Sequence, residues 1–147
     1  MTNENTVAAE LSKVLADSYN LMLKTHNYHW NVEGPHFPAL HALFETHYTE
    51  LFTAVDEIAE RIRALGAKAP ASYAEFAKLS PIKDGDSRLE AKAMVADLLA
   101  DHETLVAHAE KALEIADDAD DVATEDLLTQ RIQSHQKHCW MMRSFLK

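Results

Sequence analysis

Histidines and carboxylates recur at helical spacing between residues 24 and 66 of this chain. A helix turns ~100° per residue, so four of them would fall within roughly 100° of one another: His41, Glu45, Asp56 and Glu60. They flank an apolar stripe that repeats every seven residues, at Phe37, Phe44, Leu51, Ile58 and Leu65. Imidazole and carboxylate groups beside an apolar seam are suitable ligands for a hard or borderline cation.

Distance along the helix limits how these groups can cooperate. His41 and Asp56 are separated by ~22 Å if the rise is ~1.5 Å per residue, so one ion on one straight helix cannot bind both. Either they serve two sites, or an antiparallel copy of the helix brings its own Asp56 and Glu60 to this His41. The second option requires a two-fold dimer with a site at each end of the shared interface. His29 precedes the Gly34-Pro35 turn and could fold back toward His41.

The same residues allow a purely structural interpretation. His41 would then be a core-edge histidine bonded to a neighbour, and Asp56 and Glu60 would pair with nearby arginines on a solvated face. Most other histidines are expected to be structural as well. Surface or core-edge positions are predicted for four of them: His102, His108, His135 and His138.

Composition restricts the class of protein. The chain has 147 residues, a formal net charge of −10 and a pI near 5.3, which disfavours general nucleic-acid binding and favours attraction of cations. The lone Cys139 excludes an intrachain disulfide. No apolar run approaches ~18 residues and no export signal is recognisable, so we expect a soluble cytoplasmic protein with no membrane partner.

Three glycines and four prolines in the whole chain favour long helices. Apolar periodicity predicts four of them, over about residues 4–32, 37–65, 87–116 and 122–145. Ser72 with Glu75 predicts a capping box for a short helix that ends before Pro81, and Ser87 with Glu90 predicts another that opens the third long helix. We therefore expect one all-α domain over residues 1–147, a four-helix bundle with a short extra helix between the second and third long helices.

Several motifs together resemble the Dps family of miniferritins, and the resemblance covers nearly the whole chain. It rests on a set of short motifs: His29-Trp30, Gly34-Pro35, Phe37, Leu40-His41, Phe44-Glu45, the run DEIAER at 56–61, Leu65-Gly66 and DLL at 126–128. The resemblance implies a ferritin-like bundle that assembles into a hollow shell of twelve subunits. It also implies a ferroxidase that oxidises Fe(II), preferably with hydrogen peroxide, stores ferric mineral and protects against oxidative stress.

The resemblance also implies a di-iron centre shared between subunits. In this chain His29 and His41 would come from one subunit, while Asp56 and Glu60 would come from its partner. Glu45 would lie near the second iron and Trp30 beside the centre. The intrasubunit alternative lacks its usual signature, because Glu-x-x-His occurs only at Glu33–His36, across a Gly-Pro turn.

Two other functions fit parts of the sequence. A nucleoid-compacting DNA-binding protein is the main alternative, but family members that bind DNA often use a basic terminal tail. No basic residue precedes Lys13 here, which disfavours DNA binding. The other is a shell that sequesters divalent metals without redox chemistry, and the sequence does not rank zinc against iron.

An acidic segment follows the third long helix and has two interpretations. Asp120 or Asp121 could simply cap the fourth helix, with neighbouring acids favoured by its dipole. In a symmetric shell, repeated carboxylates around a three-fold axis would instead attract cations. By resemblance, the possible iron-entry pore would be formed by Asp117, Asp121 and Asp126.

Overall fold

The computed structural model describes residues 3–147, with side chains from residue 6 onward. Within that range it contains five helices and no strand: α1 Asn3–Asn31, α2 Phe37–Ala64, α3 Tyr73–Leu79, α4 Ala91–Asp118 and α5 Val122–Leu146. The expected all-α bundle with a short extra helix is thus confirmed. No helix among the described residues combines the length and apolarity needed to cross a membrane.

Local chemistry explains where the helices begin and end. Gly66 follows α2 with a φ of 94°, a left-handed conformation that glycine adopts without steric cost. The Ser72 hydroxyl accepts a hydrogen bond of 3.2 Å from the Glu75 amide, which confirms the first capping box.

The second capping box is wrong. Helix α4 begins at Ala91 with Glu90 as its N-cap, and the Glu90 side chain makes no capping hydrogen bond. The preceding residues form a turn instead, because the Asp86 carbonyl accepts from the Leu89 amide at 3.2 Å and its carboxylate accepts from the Arg88 amide at 2.9 Å. These bonds delay the start of the helix beyond Ser87.

The helices form two hairpins around one apolar core. Helix α1 packs against α2 and α4, α5 packs mainly against α4, and α3 lies on α1. Fully buried side chains line all four long helices, among them Leu11, Phe44, Leu51, Leu98 and Leu128. Burying such side chains contributes about 1.5–3 kcal/mol each, which outweighs the weak helix preference of any single residue.

Buried polar groups fix how α1 sits on α4. Lys24 is only 4% exposed, and its ammonium lies 2.7 Å from the Asp101 carboxylate. The Tyr28 hydroxyl donates to Asp97 at 2.6 Å. Since sliding α1 along its axis would leave these groups buried and unpaired, the network fixes the position of the C-terminal end of α1.

The turn between α4 and α5 uses Asp121 as the helix cap, as one of the two interpretations of the acidic segment predicted. Asp120 adopts a φ of 57°, and the Asp121 carboxylate accepts from the Thr124 amide at 3.1 Å. The same carboxylate accepts a 2.9 Å hydrogen bond from Arg61 of α2. It therefore joins the two hairpins as well as capping α5.

Replacing this cap should measurably destabilise the protein. We expect Asp121→Ala to lower the free energy of unfolding by about 1–2 kcal/mol, because it removes the cap and leaves Arg61 without this partner. Urea unfolding at fixed protein concentration measures the change. Asp118→Ala, which removes an exposed carboxylate from the last residue of α4, is the control and should change stability by no more than about 0.5 kcal/mol. Equal effects of the two substitutions would contradict the capping role.

Candidate metal centre

His29 and His41 face each other across the α1–α2 hairpin. The Nδ1 atom of His29 donates to the His41 carbonyl at 2.7 Å, and the Nδ1 atom of His41 donates to the His29 carbonyl at the same distance. The rings stack with centroids 3.8 Å apart and planes 14° apart. Because each Nδ1 holds the proton, each Nε2 carries the lone pair that a metal ion requires.

The short turn between the two helices produces this pairing. His29 lies near the C-terminal end of α1, and His41 lies in the second turn of α2. The Gly34 φ of 109° lets the chain reverse, so these two positions meet. The structure thus brings together two of the predicted residues from opposite sides of the turn.

Glu45 completes a group of three donors. It lies one helical turn after His41, and its Oε1 atom is 3.8 Å from the Nε2 atom of His29. One donor atom from each of His29, His41 and Glu45 lies within 4.8 Å of the others. The Glu45 side chain is 60% exposed while that of His29 is 7% exposed, so the group opens toward solvent on the carboxylate side.

Asp56 and Glu60 do not belong to this group within one chain. Both are exposed on α2, and the hydrogen bond between them, followed by the charge of Asp56, raises the pKa of Glu60. Asp56 lines a groove of about 890 Å³ whose walls include the aromatic residues Phe52, Tyr73 and Phe76. Their separation from His41 follows from the rise of the helix, about 22 Å over fifteen residues.

Aromatic residues form a layer next to the histidine pair, and sequence analysis identified only one of them. Trp30 stacks on His26 with centroids 4.4 Å apart, and His26 stacks on Tyr48 at 4.0 Å. Tyr48 contacts the edge of His29 at 5.1 Å. Burial, and secondarily His29, lowers the pKa of His26. In the sequence, His26 and Tyr48 stand out only by their helical periodicity. Ordinary core residues show the same periodicity, so it does not mark these two as part of a site.

A second group of histidines lies inside the bundle: His47 on α2, His102 on α4, and His135 and His138 on α5, here called the histidine cluster. The prediction of surface or core-edge positions is wrong for His102, His135 and His138, which are buried at 0%, 0% and 6% exposure. The reason is visible in the spacing, since these residues continue the apolar stripes of their helices. Tertiary packing surrounds them with one another instead of with solvent.

The predicted pore residues lie in and after the α4–α5 turn. Asp117 and Asp126 are exposed, whereas Asp121 is largely covered and already engaged by Arg61 and Thr124. Glu125 adds a fourth carboxylate: its partial burial, then the neighbouring Asp117 carboxylate, raises its pKa. A single chain does not arrange these carboxylates as a ring, because a ring requires copies of the chain around a three-fold axis.

Comparison with known proteins agrees with the fold. The sequence pattern described as "Ferritin-like domain" matches residues 8–147. A protein called "DNA protection during starvation protein 2" from Bacillus anthracis is 43% identical over 92% of this chain and 93% of its own. A Dps crystal structure from Bacillus brevis superposes with a TM-score of 0.96 at 36% identity, covering 99% of this chain and 97% of that one.

A Vibrio cholerae Dps structure, described as a member of a broad superfamily of ferritin-like diiron-carboxylate proteins, superposes with a TM-score of 0.95. It is 31% identical and covers 99% of this chain and 91% of that one. Fold and sequence together therefore define a ferritin-like helical-bundle protein. Within that class, the chain belongs to the Dps family.

Trp30 should report metal binding at the histidine pair. In a Trp140→Phe variant Trp30 is the remaining tryptophan, and we expect Co²⁺ to quench its fluorescence because the indole stacks on His26 beside His29. Adding His41→Ala should remove the saturable part of the quenching. Adding His36→Ala, an exposed histidine in the turn, should leave it unchanged. Saturable quenching that survives His41→Ala would place the ion elsewhere.

Proposed function

We propose that this protein is a ferroxidase that oxidises Fe(II), preferably with hydrogen peroxide, and stores the ferric product inside a shell of its own copies. One ferritin-like domain carries this activity. Membership of the Dps family supports the broader function, iron storage and protection. The observation that carries the specific proposal is the His29–His41 pair, whose two Nε2 atoms are free beside Glu45.

Fe(II) is the substrate, and the donor set suits it. Imidazole and carboxylate groups bind Fe(II), and carboxylates hold Fe(III) once it forms. Hydrogen bonds to two backbone carbonyls hold the rings of His29 and His41 in fixed orientations. The side chains therefore need little rearrangement when iron binds. Asp56 and Glu60 of the partner subunit complete the site across a two-fold interface, with the partner's Glu60 positioned to bridge two iron ions.

The chemistry balances with two iron ions for each peroxide. Each Fe(II) loses one electron, and the two electrons with two protons cleave the O–O bond of hydrogen peroxide to give two water molecules. Binding both ions at one centre delivers both electrons to the same oxidant, so no hydroxyl radical is released. The few protein donors also leave coordination positions open for the oxidant.

A partner subunit is supported by the surface that surrounds these residues. Large apolar side chains are exposed on the same part of the molecule: Leu23 at 51%, Trp30 at 63% and Phe52 at 68%. Phe52 lies beside Asp56 in the groove lined by α1, α2 and α3. An antiparallel copy of α2 would cover this surface and bring its acidic pair to the histidines. We propose that twelve such subunits form the shell.

The two-fold arrangement predicts complementation between inactive variants. His41→Ala and Glu60→Gln should each slow peroxide-driven Fe(II) oxidation by at least about tenfold, because each removes a donor from every site. Shells formed by random mixing of the two variants should recover about a quarter of the wild-type sites, since half of the pairs are mixed and each mixed pair has one intact site. Oxidation is followed by absorbance after anaerobic addition of peroxide.

A matched variant and the assembly state complete the test. Glu57→Gln changes the carboxylate next to Asp56 and should leave the rate within about twofold, because that position is not a proposed donor. Light scattering should give the same mass for all variants. Assembled mixed shells with no recovered activity would rule out a shared centre, and wild-type protein that oxidises iron no faster than buffer would rule out the ferroxidase.

Iron entry is proposed to occur through rings of acidic residues in the assembled shell. Asp117 and Asp126 are the exposed candidates, and Asp121 contributes negative charge while it caps α5. Repeated around a three-fold axis, these carboxylates would concentrate cations at a pore.

Neutralising the pore should slow uptake without changing the oxidation site. We expect Asp117→Asn with Asp126→Asn to slow Fe(II) uptake several-fold in stopped-flow measurements, with a weak dependence on salt because the ring acts within about 8–10 Å. Oxidation of iron that is already bound should keep its rate. Asp84→Asn, in the connection between α3 and α4, is the control. Unchanged uptake in the assembled double variant would leave only the capping role of Asp121.

A further inference from the structure

The histidine cluster has no role in the proposed ferroxidase. It lies inside a single chain, and His47 is separated from His41 by about 9 Å along α2. Its members are almost completely buried, with His47, His102 and His135 at 0% and His138 at 6% exposed. Four imidazoles in a dry core are costly unless their nitrogens are satisfied.

A hydrogen-bonded relay satisfies both nitrogens of His135 and one nitrogen of His102. The guanidinium of Arg131 donates to the Nε2 atom of His135 at 3.0 Å, which leaves the proton of neutral His135 on Nδ1. That proton points to the Nδ1 atom of His102 at 2.8 Å. Both nitrogens of His135 are therefore used, whereas His102 keeps its own proton on Nε2, which is buried without a hydrogen bond.

Two other members of the cluster make no hydrogen bond through either ring nitrogen. Both ring nitrogens of His47 and both of His138 are buried without a hydrogen bond. The two rings lie next to each other with centroids 4.0 Å apart. Such unsatisfied groups in a folded core require an explanation, and an ion or ordered water is the usual one.

A carboxylate lies beside one of these two rings. Glu50 lies one turn after His47 on α2, and its Oε1 atom is 3.5 Å from the Nε2 atom of His138. Donor atoms that share a transition-metal ion lie about 3–4 Å apart, because each is about 2.0–2.2 Å from the ion. Arg131 contacts both oxygens of Glu50, which fixes the carboxylate and balances the guanidinium charge.

The protonation states also suit a cation. Burial, and secondarily His138, lowers the pKa of His47 to about 3, so this imidazole is neutral at physiological pH. Burial alone would raise the pKa of Glu50, but contacts with His138 and Arg131 lower it to about 2, so it is ionised. The Glu50 side chain is 33% exposed, which gives an ion a route from the surface.

We propose that His47, His138 and Glu50 form a second metal site, within one subunit, for a single divalent transition ion of borderline softness. Two imidazoles and one carboxylate suit zinc, cobalt or ferrous ions and are unsuited to calcium or magnesium. In the structure the donor atoms of these three residues do not all lie within 4.8 Å of one another, so binding requires the His47 ring to rotate and direct one of its nitrogens to the ion. Arg131 holds the carboxylate through both of its oxygens, whereas His102 and His135 contribute no donor to the site.

The site is tested with Co²⁺ in a protein that lacks the His29–His41 pair. The background protein carries His29→Ala and His41→Ala, so any remaining tight binding cannot come from that pair. We expect about one Co²⁺ per chain, with visible absorption typical of nitrogen ligation. Adding His138→Gln should weaken binding by more than about 100-fold, whereas His135→Gln, equally buried but already bonded through both nitrogens, should retain it. Circular dichroism and light scattering establish that each variant is folded and assembled.

A crystal of the background protein soaked in zinc decides the question even if the core substitutions prevent folding. Anomalous scattering should show a peak within about 2.0–2.2 Å of donor atoms of His47, His138 and Glu50. Ordered water in that place at saturating zinc would overturn the proposal, because solvent would then satisfy the orphaned nitrogens. Zinc bound only at surface carboxylates, or equal loss of Co²⁺ with His138→Gln and His135→Gln, would also overturn it.

Discussion

The reciprocal hydrogen bonds between His29 and His41 are the interaction on which the candidate metal centre depends. Each ring uses its own Nδ1 proton to bind the backbone of the opposite helix, so one geometry fixes both tautomers at once. The pairing requires α1 and α2 to stay in register. The apolar core holds α1 against α2, while Lys24 and Tyr28 of α1 bind carboxylates of α4 and fix α1 from its other side. Stability of the bundle and chemistry of the site are thus physically linked.

Helix geometry determines what a single chain can and cannot assemble. Donors one turn apart, such as His41 and Glu45, share a face and a site. Donors fifteen residues apart, such as His41 and Asp56, are separated by about 22 Å along the helix axis and cannot bind the same ion. A protein made of long straight helices can unite such groups only by adding a second copy. The proposed shared centre follows from this restriction together with the exposed apolar surface around Asp56.

The same bundle contains two kinds of histidine environment. The pair at the α1–α2 turn is open to solvent on the Glu45 side, as the proposed exchange of ions and oxidant requires. The histidine cluster is enclosed by four helices, where desolvation keeps the buried imidazoles neutral. An exposed donor set suits turnover of a substrate ion, whereas an enclosed one suits a retained ion. Burial, rather than residue type, separates the two roles.

Sequence alone determined the helices, the first capping box and the all-α bundle, because apolar periodicity and local capping are read within one or two turns. It also placed His29 and His41 at a turn that could unite them. Tertiary structure decided the rest. Side chains on different helices define the tautomers, the aromatic layer of His26 and Tyr48, and the burial of His102 and His135. Periodicity places these residues on apolar stripes, but their partners lie far apart in the chain, so local periodicity does not show which groups surround each ring.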